Sequence, residues 1–293
     1  MKKVVNFLKY RYIATALSVG LLTLFIAGTA KRGGFNLGID FVGGVKIIAQ
    51  FEEGISEKEI REVLFDFSPQ IQQIGGGSQN EYIISTKLDD PLNENSGADN
   101  LKKVLLSHYA KTKFLSEETV GSAIGDILRA SAIKLFCIAL IFMSIYVIFR
   151  FELKYAFGVI ASLVHAVILT FLFVGFTGTE VNIPVVAALL TVFGYVVNDT
   201  IVIFDRIREN VQFETKHTFF ELINKSITQS IRRCLLISST TLFAASSLYF
   251  IGGNVLNDFA KVLVFGVIIG TYSSIFIASP LIVVWEKIAV RKK

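Results

Sequence analysis

The 293-residue sequence is poor in the residues that build disulfide frameworks and enzyme sites. It has two cysteines, Cys137 and Cys234, whose positions fit neither a disulfide framework nor the spacing of a metal site. It also lacks a nucleophile beside a base and a glycine-rich phosphate loop. Nothing in the sequence therefore argues for hydrolysis, and we expect no enzyme activity, no cofactor and no metal.

Charge is scarce as well. Charged residues make up 18% of the chain and hydrophobic residues 53%, with a mean hydropathy of +0.59 and 26 phenylalanines. This composition is too apolar for an ordinary soluble domain. The formal charge is +5, but the basic residues sit beside apolar runs, as they do where they set membrane topology. We therefore predict a membrane protein in contact with lipid, with no nucleic-acid partner.

Six apolar runs are long enough to span a bilayer, which takes about 20 helical residues. They are expected at residues 12–30, 130–149, 155–176, 181–204, 234–251 and 262–285. The first run also resembles the apolar core of a signal peptide, because small residues end it at 28–30. Since it exceeds the usual length of roughly 7 to 15 residues for such a core, a retained helix is favoured.

Positive charge marks one side of these spans. Lys and Arg occur at 150, 154, within 205–233 and at the C-terminus, whereas 175–182 and 252–260 contain none. The positive-inside rule then places both termini and a loop at 205–233 in the cytoplasm. Residues 1–30 form a cytoplasmic segment and the first helix, 31–130 an extracytoplasmic domain, and 131–293 the other five helices.

Residues 31–130 have the composition of a soluble domain. Strand patterns are expected at 44–51, 70–74, 82–87 and 114–120, and helix patterns at 56–67 and 98–109. Ser56 and Glu59 form a capping box at the start of the first helix. A glycine turn at 75–80 and a polar linker at 89–99 separate elements. The order β-α-β-β-α-β predicts an α+β, ferredoxin-like domain between membrane helices 1 and 2.

The run at 181–204 contains a single charge, Asp199. A carboxylate inside a bilayer costs roughly 2.5 to 3.5 kcal/mol on insertion scales, so such acids usually face a bundle interior, a partner or a water path. Thr191, Tyr195 and Asn198 follow helical spacing with it, which predicts one polar face and apolar residues directed towards lipid. His165 is isolated, and a hydrogen-bonded packing role is favoured over a proton relay.

Four stretches resemble the SecD/SecF family of protein-export membrane proteins. The strings are GYVVNDTIVIFDRIREN at 194–210, GIDFVGG at 38–44, TQSIRRCLLISSTTL at 228–242 and FGVIIGTYSSIFIASPL at 265–281. The family usually has Ser where Val196 stands, and Thr at the positions of Val42 and Cys234. The resemblance covers both ends of the predicted exterior domain and helices four to six.

The resemblance implies roles for individual residues. It assigns ion coupling to Asp199, Arg233 and Asn198, with Arg232 as an anchor at the helix end. The alternative is that Arg232 and Arg233 are both topological anchors. Asp205 and Arg206 lie near the predicted membrane boundary, where an ion pair is the default. The supporting polar positions are Tyr195, Asp205 and Arg206. The glycine-rich turn of the family motif consists of Gly38, Asp40, Gly43 and Gly44.

The resemblance also implies a function. The chain is expected to act with a SecD-like membrane subunit beside the Sec translocon in the bacterial inner membrane, using an H⁺ or Na⁺ gradient to promote late translocation and release of unfolded secreted polypeptides. Two alternatives are a proton-coupled half-exporter of small molecules and a non-transporting scaffold. An exterior domain of about 100 residues is small for the first, and the second leaves the buried acid unexplained.

Overall fold

The fold is described from a computed structural model. The described residues are 4–52, 54–67, 69–74, 80–86, 94–214 and 217–291. Most of the glycine turn expected at 75–80, and the first part of the linker expected at 89–99, lie outside them. Within the described residues, six helices are long and apolar enough to cross a membrane, which confirms the expected number.

The chain enters through a short 3-10 turn, Phe7–Tyr10, and the first long helix, α1 (Arg11–Lys31). A single helical turn, α2 (Ile39–Val42), then leads into the sheet domain. Its elements are β1 (Gly44–Gln50), α3 (Glu57–Val63), β2 (Gln70–Ile74), β3 (Glu81–Thr86), α4 (Glu94–His108) and β4 (Lys113–Val120). The strands form one sheet in the order β2-β3-β1-β4, and every neighbouring pair is antiparallel.

One face of this sheet is covered by helices α3 and α4. Val45, Ile47 and Ala49 alternate along β1 and are fully buried, because successive side chains of a strand point to opposite faces. They belong to the same apolar cluster as Ile60 of α3 and Leu101 of α4. The Ser56–Glu59 capping box is confirmed, with reciprocal hydrogen bonds at the start of α3. Helix α4 begins at Glu94, so residues 94–99 of the expected linker are helical.

The remaining helices form the membrane bundle with α1. They are α5 (Ser122–Arg150), α6 (Leu153–Thr177), α7 (Ile183–Phe213), α8 (Phe219–Ile251), α9 (Gly253–Ser273) and α10 (Ser279–Arg291). A π-helical segment, Ser274–Ala278, joins the last two into one span. Helices α6, α7 and α9 supply most of the buried core, whereas α5 is exposed along most of its length.

Two connections differ from expectation because the membrane helices continue past the apolar runs. Most of residues 205–233, expected as a loop, are helical, because α7 continues to Phe213 and α8 begins at Phe219. Leu222, Ile223 and Ile227, within the expected loop, lie on α8 and are buried, with Ile223 and Ile227 in the core of the bundle. The loop expected at 252–260 is helical from Gly253. Polar side chains end an apolar run but do not end a helix. Helix α7, for example, has 31 residues and is about 46 Å long.

Candidate functional site

Asp199 lies in the middle of the bundle and is almost completely buried, with 1% of its surface exposed. Its Oδ2 atom accepts a hydrogen bond from the Thr271 hydroxyl of α9 at 3.0 Å and a longer one from the Ser238 hydroxyl of α8 at 3.4 Å. Those two hydroxyls lie 2.7 Å apart. The Oδ1 atom is buried and has no hydrogen-bond partner among the described residues. The acid therefore joins three helices through one oxygen and leaves the other unpaired.

No basic side chain pairs with this carboxylate in the part of the chain that the structure describes. Arg233, expected to act with Asp199, lies on α8 five residues before Ser238 and is exposed. Neither Arg233 nor Arg232 makes an ion pair among the described residues. The structure thus brings Asp199 together with hydroxyl groups rather than with the expected arginine.

The expected polar face of α7 is only partly correct. The Tyr195 hydroxyl lies 2.8 Å from the Ile237 carbonyl oxygen and 2.7 Å from the Thr241 hydroxyl, so it joins α7 to α8. Asn198 and Thr191, however, are exposed. The apolar residues expected towards lipid are buried instead, among them Val192 and Val196. Packing of α7 against α6 and α9 decides which face is inside, and these neighbours are largely apolar.

A second group of hydroxyls lies beside the site. Thr200 follows Asp199 on α7, and its hydroxyl lies 2.8 Å from that of Ser274 and 3.3 Å from that of Ser162. All three residues are fully buried. Ser274 is the first residue of the π-helical segment, a helix distortion that often occurs at functional positions.

His165 of α6 is hydrogen-bonded as expected for a packing histidine. Its Nδ1 atom lies 2.8 Å from the Ser273 hydroxyl. Its Nε2 atom is buried and has no partner among the described residues. The ring therefore has one free nitrogen inside the bundle.

The boundary residues Asp205 and Arg206 make separate interactions rather than pairing with each other. Arg150 of α5 binds both carboxylate oxygens of Asp205, at 3.1 and 3.2 Å. Arg206 donates to Gln229 of α8 at 2.7 Å and to Glu209 at 2.5 Å. These contacts join α5, α7 and α8.

The GIDFVGG segment, residues 38–44, lies at the opposite end of α7. Its Asp40 accepts a hydrogen bond from the backbone N–H of Ile183, the first residue of α7, at 2.9 Å. Gly43 has a φ angle of +77°, in the left-handed region that favours glycine. The turn therefore lies far along the chain from Asp199, but its Asp40 contacts the helix that carries this acid.

Two polar residues at these places were missed from the sequence. Thr271 is an ordinary hydroxyl in an apolar helix, and only the packing of α9 reveals its bond to Asp199. Glu180 lies within the stretch 175–182, which has no Lys or Arg, and is 5% exposed next to the GIDFVGG segment. Burial raises the pKa of the Glu180 carboxyl, with nearby Lys46 opposing this effect. The signal for Glu180 in the sequence was its position directly before the apolar run at 181–204.

The arrangement can bind and release a proton or small cation, since its groups are a carboxylate and hydroxyls. Among the described residues, no group of three His, Cys, Asp or Glu side chains could hold a metal. Among the described residues, Asp199 Oδ1 and His165 Nε2 are buried without a hydrogen-bond partner, and Asn198 is exposed.

Comparisons with known proteins point to one family. The family model described as "Protein export membrane protein SecD/SecF, C-terminal" matches residues 100–288, and "SecD/SecF GG Motif" matches residues 33–55. The chain is 37% identical to protein translocase subunit SecF of Desulfurispirillum indicum, over 96% of this chain and 92% of that protein.

A longer relative matches over part of its length. The chain is 35% identical to protein translocase subunit SecDF of Thermus thermophilus, over 94% of this chain and 38% of that protein. The crystal structure of SecDF from Thermus thermophilus, described as a translocon-associated membrane protein, superposes with a TM-score of 0.86 at 33% identity. That superposition covers 98% of this chain and 39% of the longer one.

Proposed function

This chain belongs to the SecD/SecF family of protein-export membrane proteins, and from that premise we propose that it uses an ion gradient to promote late translocation and release of secreted polypeptides. The chain is a multi-pass membrane protein with a role in Sec-pathway export. The proposal adds that the energy source is an ion gradient and that the step is late translocation and release. A proton that crosses the membrane field releases about 2.3 kcal/mol per 100 mV.

The buried carboxylate of Asp199 carries this proposal. An ionised carboxylate away from water is stable only when a cation or several hydrogen bonds compensate its charge. Asp199 has two hydroxyl donors on one oxygen, and its Oδ1 atom is unpaired. Such a group is suited to a change of charge rather than to a permanent ion pair. We infer that proton or cation binding at Asp199 selects between two packings of α7, α8 and α9.

Arg233 has a proposed role in one of these two packings, the one in which Asp199 is ionised. It lies on the same helix as Ser238, about 7.5 Å along the axis from the residue that donates to Asp199. Its side chain is exposed and makes no ion pair among the described residues. A rotation or shift of α8 would bring the guanidinium towards the ionised carboxylate. Arg233 is thus proposed as the counter-ion in that state.

We place both termini in the cytoplasm and the sheet domain outside. The backbone N–H of Leu8 binds Asn224 of α8, and the Arg150–Asp205 ion pair belongs to the basic ends of the helices. The GIDFVGG segment contacts the other end of α7. The positive-inside rule therefore supports an extracytoplasmic position for residues 31–130 in the bacterial inner membrane. The strand order β2-β3-β1-β4 supports its ferredoxin-like topology.

The exposed polar face of α7 supports a protein partner in the membrane. Asn198 is exposed on a membrane helix and has no hydrogen-bond partner among the described residues. An unpaired amide is costly in lipid. A SecD-like subunit that covers this face would satisfy it, and the Thermus thermophilus relative has both names in one chain, SecDF. The translocon and unfolded exported polypeptides are the further partners in this proposal, with no role for nucleic acid.

The test uses inverted membrane vesicles that contain the chain, its SecD-like partner and the translocon. Release of a translocating secreted protein is followed after ATP-driven transport is stopped. We expect release to accelerate when an H⁺ or Na⁺ gradient is imposed and to slow when the matching ionophore removes it. The active ionophore identifies the ion. Equal release rates with and without both gradients would contradict ion coupling.

A further inference from the structure

The GIDFVGG segment joins the sheet domain to the start of α7, the helix that carries Asp199. Beside this junction lies a cavity of about 260 Å³, lined by residues of the sheet and of the membrane bundle that include Lys46, Glu118 and Asp258. The sheet is therefore not packed directly onto the bundle at this place. The segment itself contacts both parts.

Among the described residues, Asp40 is the one acceptor from a distant part of the chain at the start of α7. The first N–H groups of a helix have no partner inside it. In α7, Asn182 caps the third position through its side chain at 2.9 Å, and the second position is Pro184, which has no N–H. The remaining early N–H, on Ile183, donates to Asp40 Oδ2 at 2.9 Å. A negative charge is favourable at this end of a helix.

Backbone hydrogen bonds strengthen the same contact. Gly38 donates its N–H to the Val181 carbonyl at 2.8 Å, and Val181 donates to the Asn36 carbonyl at 2.7 Å, which forms a parallel bridge. A Cβ atom on Gly38 would lie 2.5 Å from Glu180 Oε1 and 3.1 Å from the Val181 carbonyl oxygen. The absence of a side chain therefore allows the two backbones to approach.

The other end of the segment is fixed to the sheet and to α5. A Cβ atom on Gly43 would lie 2.7 Å from the Ser122 Cα, and one on Gly44 would lie 2.4 Å from the Thr86 carbonyl oxygen. Seven residues thus contact β3, the start of α5 and the start of α7. Over so short a length, a displacement of α7 reaches the sheet without a flexible linker between them.

We propose that Asp40 is a positioning residue that clamps the sheet domain to the N-terminal end of α7, so that movement of this helix is transmitted to the domain outside the membrane. This inference deepens the proposed function, because it gives the ion-driven movement at Asp199 a route to the exported polypeptide. Asp40 contacts neither the ion nor the polypeptide in this role. It acts through the Ile183 amide.

Hydrogen exchange tests the clamp without any transport assay. The full chain with its partner is compared with variants Asp40→Ala, which loses the acceptor, and Asp40→Asn, which keeps a carbonyl oxygen. We expect the Ile183 amide to exchange about tenfold faster in Asp40→Ala and to stay near the original rate in Asp40→Asn. Exchange in β1 and β3 should remain unchanged in both. Unchanged exchange at Ile183 in Asp40→Ala would overturn the clamp.

Gradient-stimulated release then tests transmission. Asp40→Ala should lose most of the stimulation, while Asp40→Asn and the exposed-surface control Glu62→Ala keep it. Faster Ile183 exchange combined with full stimulation would overturn the transmitting role, as would an Asp40→Asn variant that fails like Asp40→Ala. If the unaltered chain showed no stimulation, the proposed ion coupling would fail, whereas the exchange result would still decide the clamp.

Discussion

Removing the Thr271 hydroxyl should change how the export cycle depends on pH. Thr271→Val keeps the β-branched shape but deletes the 3.0 Å donor to Asp199. The remaining donor, Ser238, lies at 3.4 Å, and the other carboxylate oxygen has no partner among the described residues. A hydrogen bond to a charged group contributes about 1.5 to 3 kcal/mol. Loss of this bond should therefore disfavour the ionised form of Asp199 relative to the protonated form.

The assay is the vesicle release experiment, repeated across a pH series at constant gradient. The profile of gradient-stimulated release in Thr271→Val should shift towards higher pH. Thr271→Ser, which keeps the hydroxyl, should retain the original profile. Thr240→Val is the matched control, since that exposed hydroxyl bonds only to its own helix. Identical profiles for Thr271→Val and Thr271→Ser would refute the assignment of Thr271 as a functional donor.

Three further predictions concern the fold and its orientation. Gly43→Ala should destabilise the chain by about 1 to 3 kcal/mol in thermal unfolding, because of its positive φ and close contacts, while Gly20→Ala, with open space around it, should not. Glu180→Gln should raise the unfolding temperature at pH 8 but hardly at pH 4. Burial raises the pKa of the Glu180 carboxyl, so the native state binds more protons than the unfolded state. The unaltered chain therefore loses stability as the pH rises, and the glutamine variant does not. In spheroplasts of a Cys137→Ala background, an impermeant thiol reagent should label Glu62→Cys and spare Phe213→Cys; the reverse pattern would invert the topology.

Much of the fold could be predicted from the sequence because its signals are local. A run of apolar residues predicts a span by length alone, and the Ser56–Glu59 pair marks a helix start within four residues of chain. Helix ends near the membrane surface were harder to predict. Charged residues such as Arg208 stay hydrated while the helix continues, and Gly252 ends one helix immediately before the next begins. Composition marks the apolar limit of such a helix but not its end.

The candidate site was also predicted only in part, because only some of its signals are local in the sequence. Asp199 is conspicuous as the one charge in an apolar run, but its partners depend on how three helices pack. Ser238 belonged to a hydroxyl-rich stretch, whereas Thr271 had no distinguishing pattern. Asn198 was expected beside the acid, yet one helical step rotates it to the exposed surface. Sequence spacing gives the face of a helix but not which face the neighbours cover.

The most direct measurement of ion coupling is gradient-stimulated release in Asp199→Asn. The substitution keeps the size of the side chain and an acceptor for Thr271 and Ser238, but it removes the group that titrates. At equal protein levels and with the SecD-like partner still bound, we expect release to become independent of the gradient. Normal gradient-dependent release by Asp199→Asn would contradict a coupling role for this acid and leave it as a packing residue.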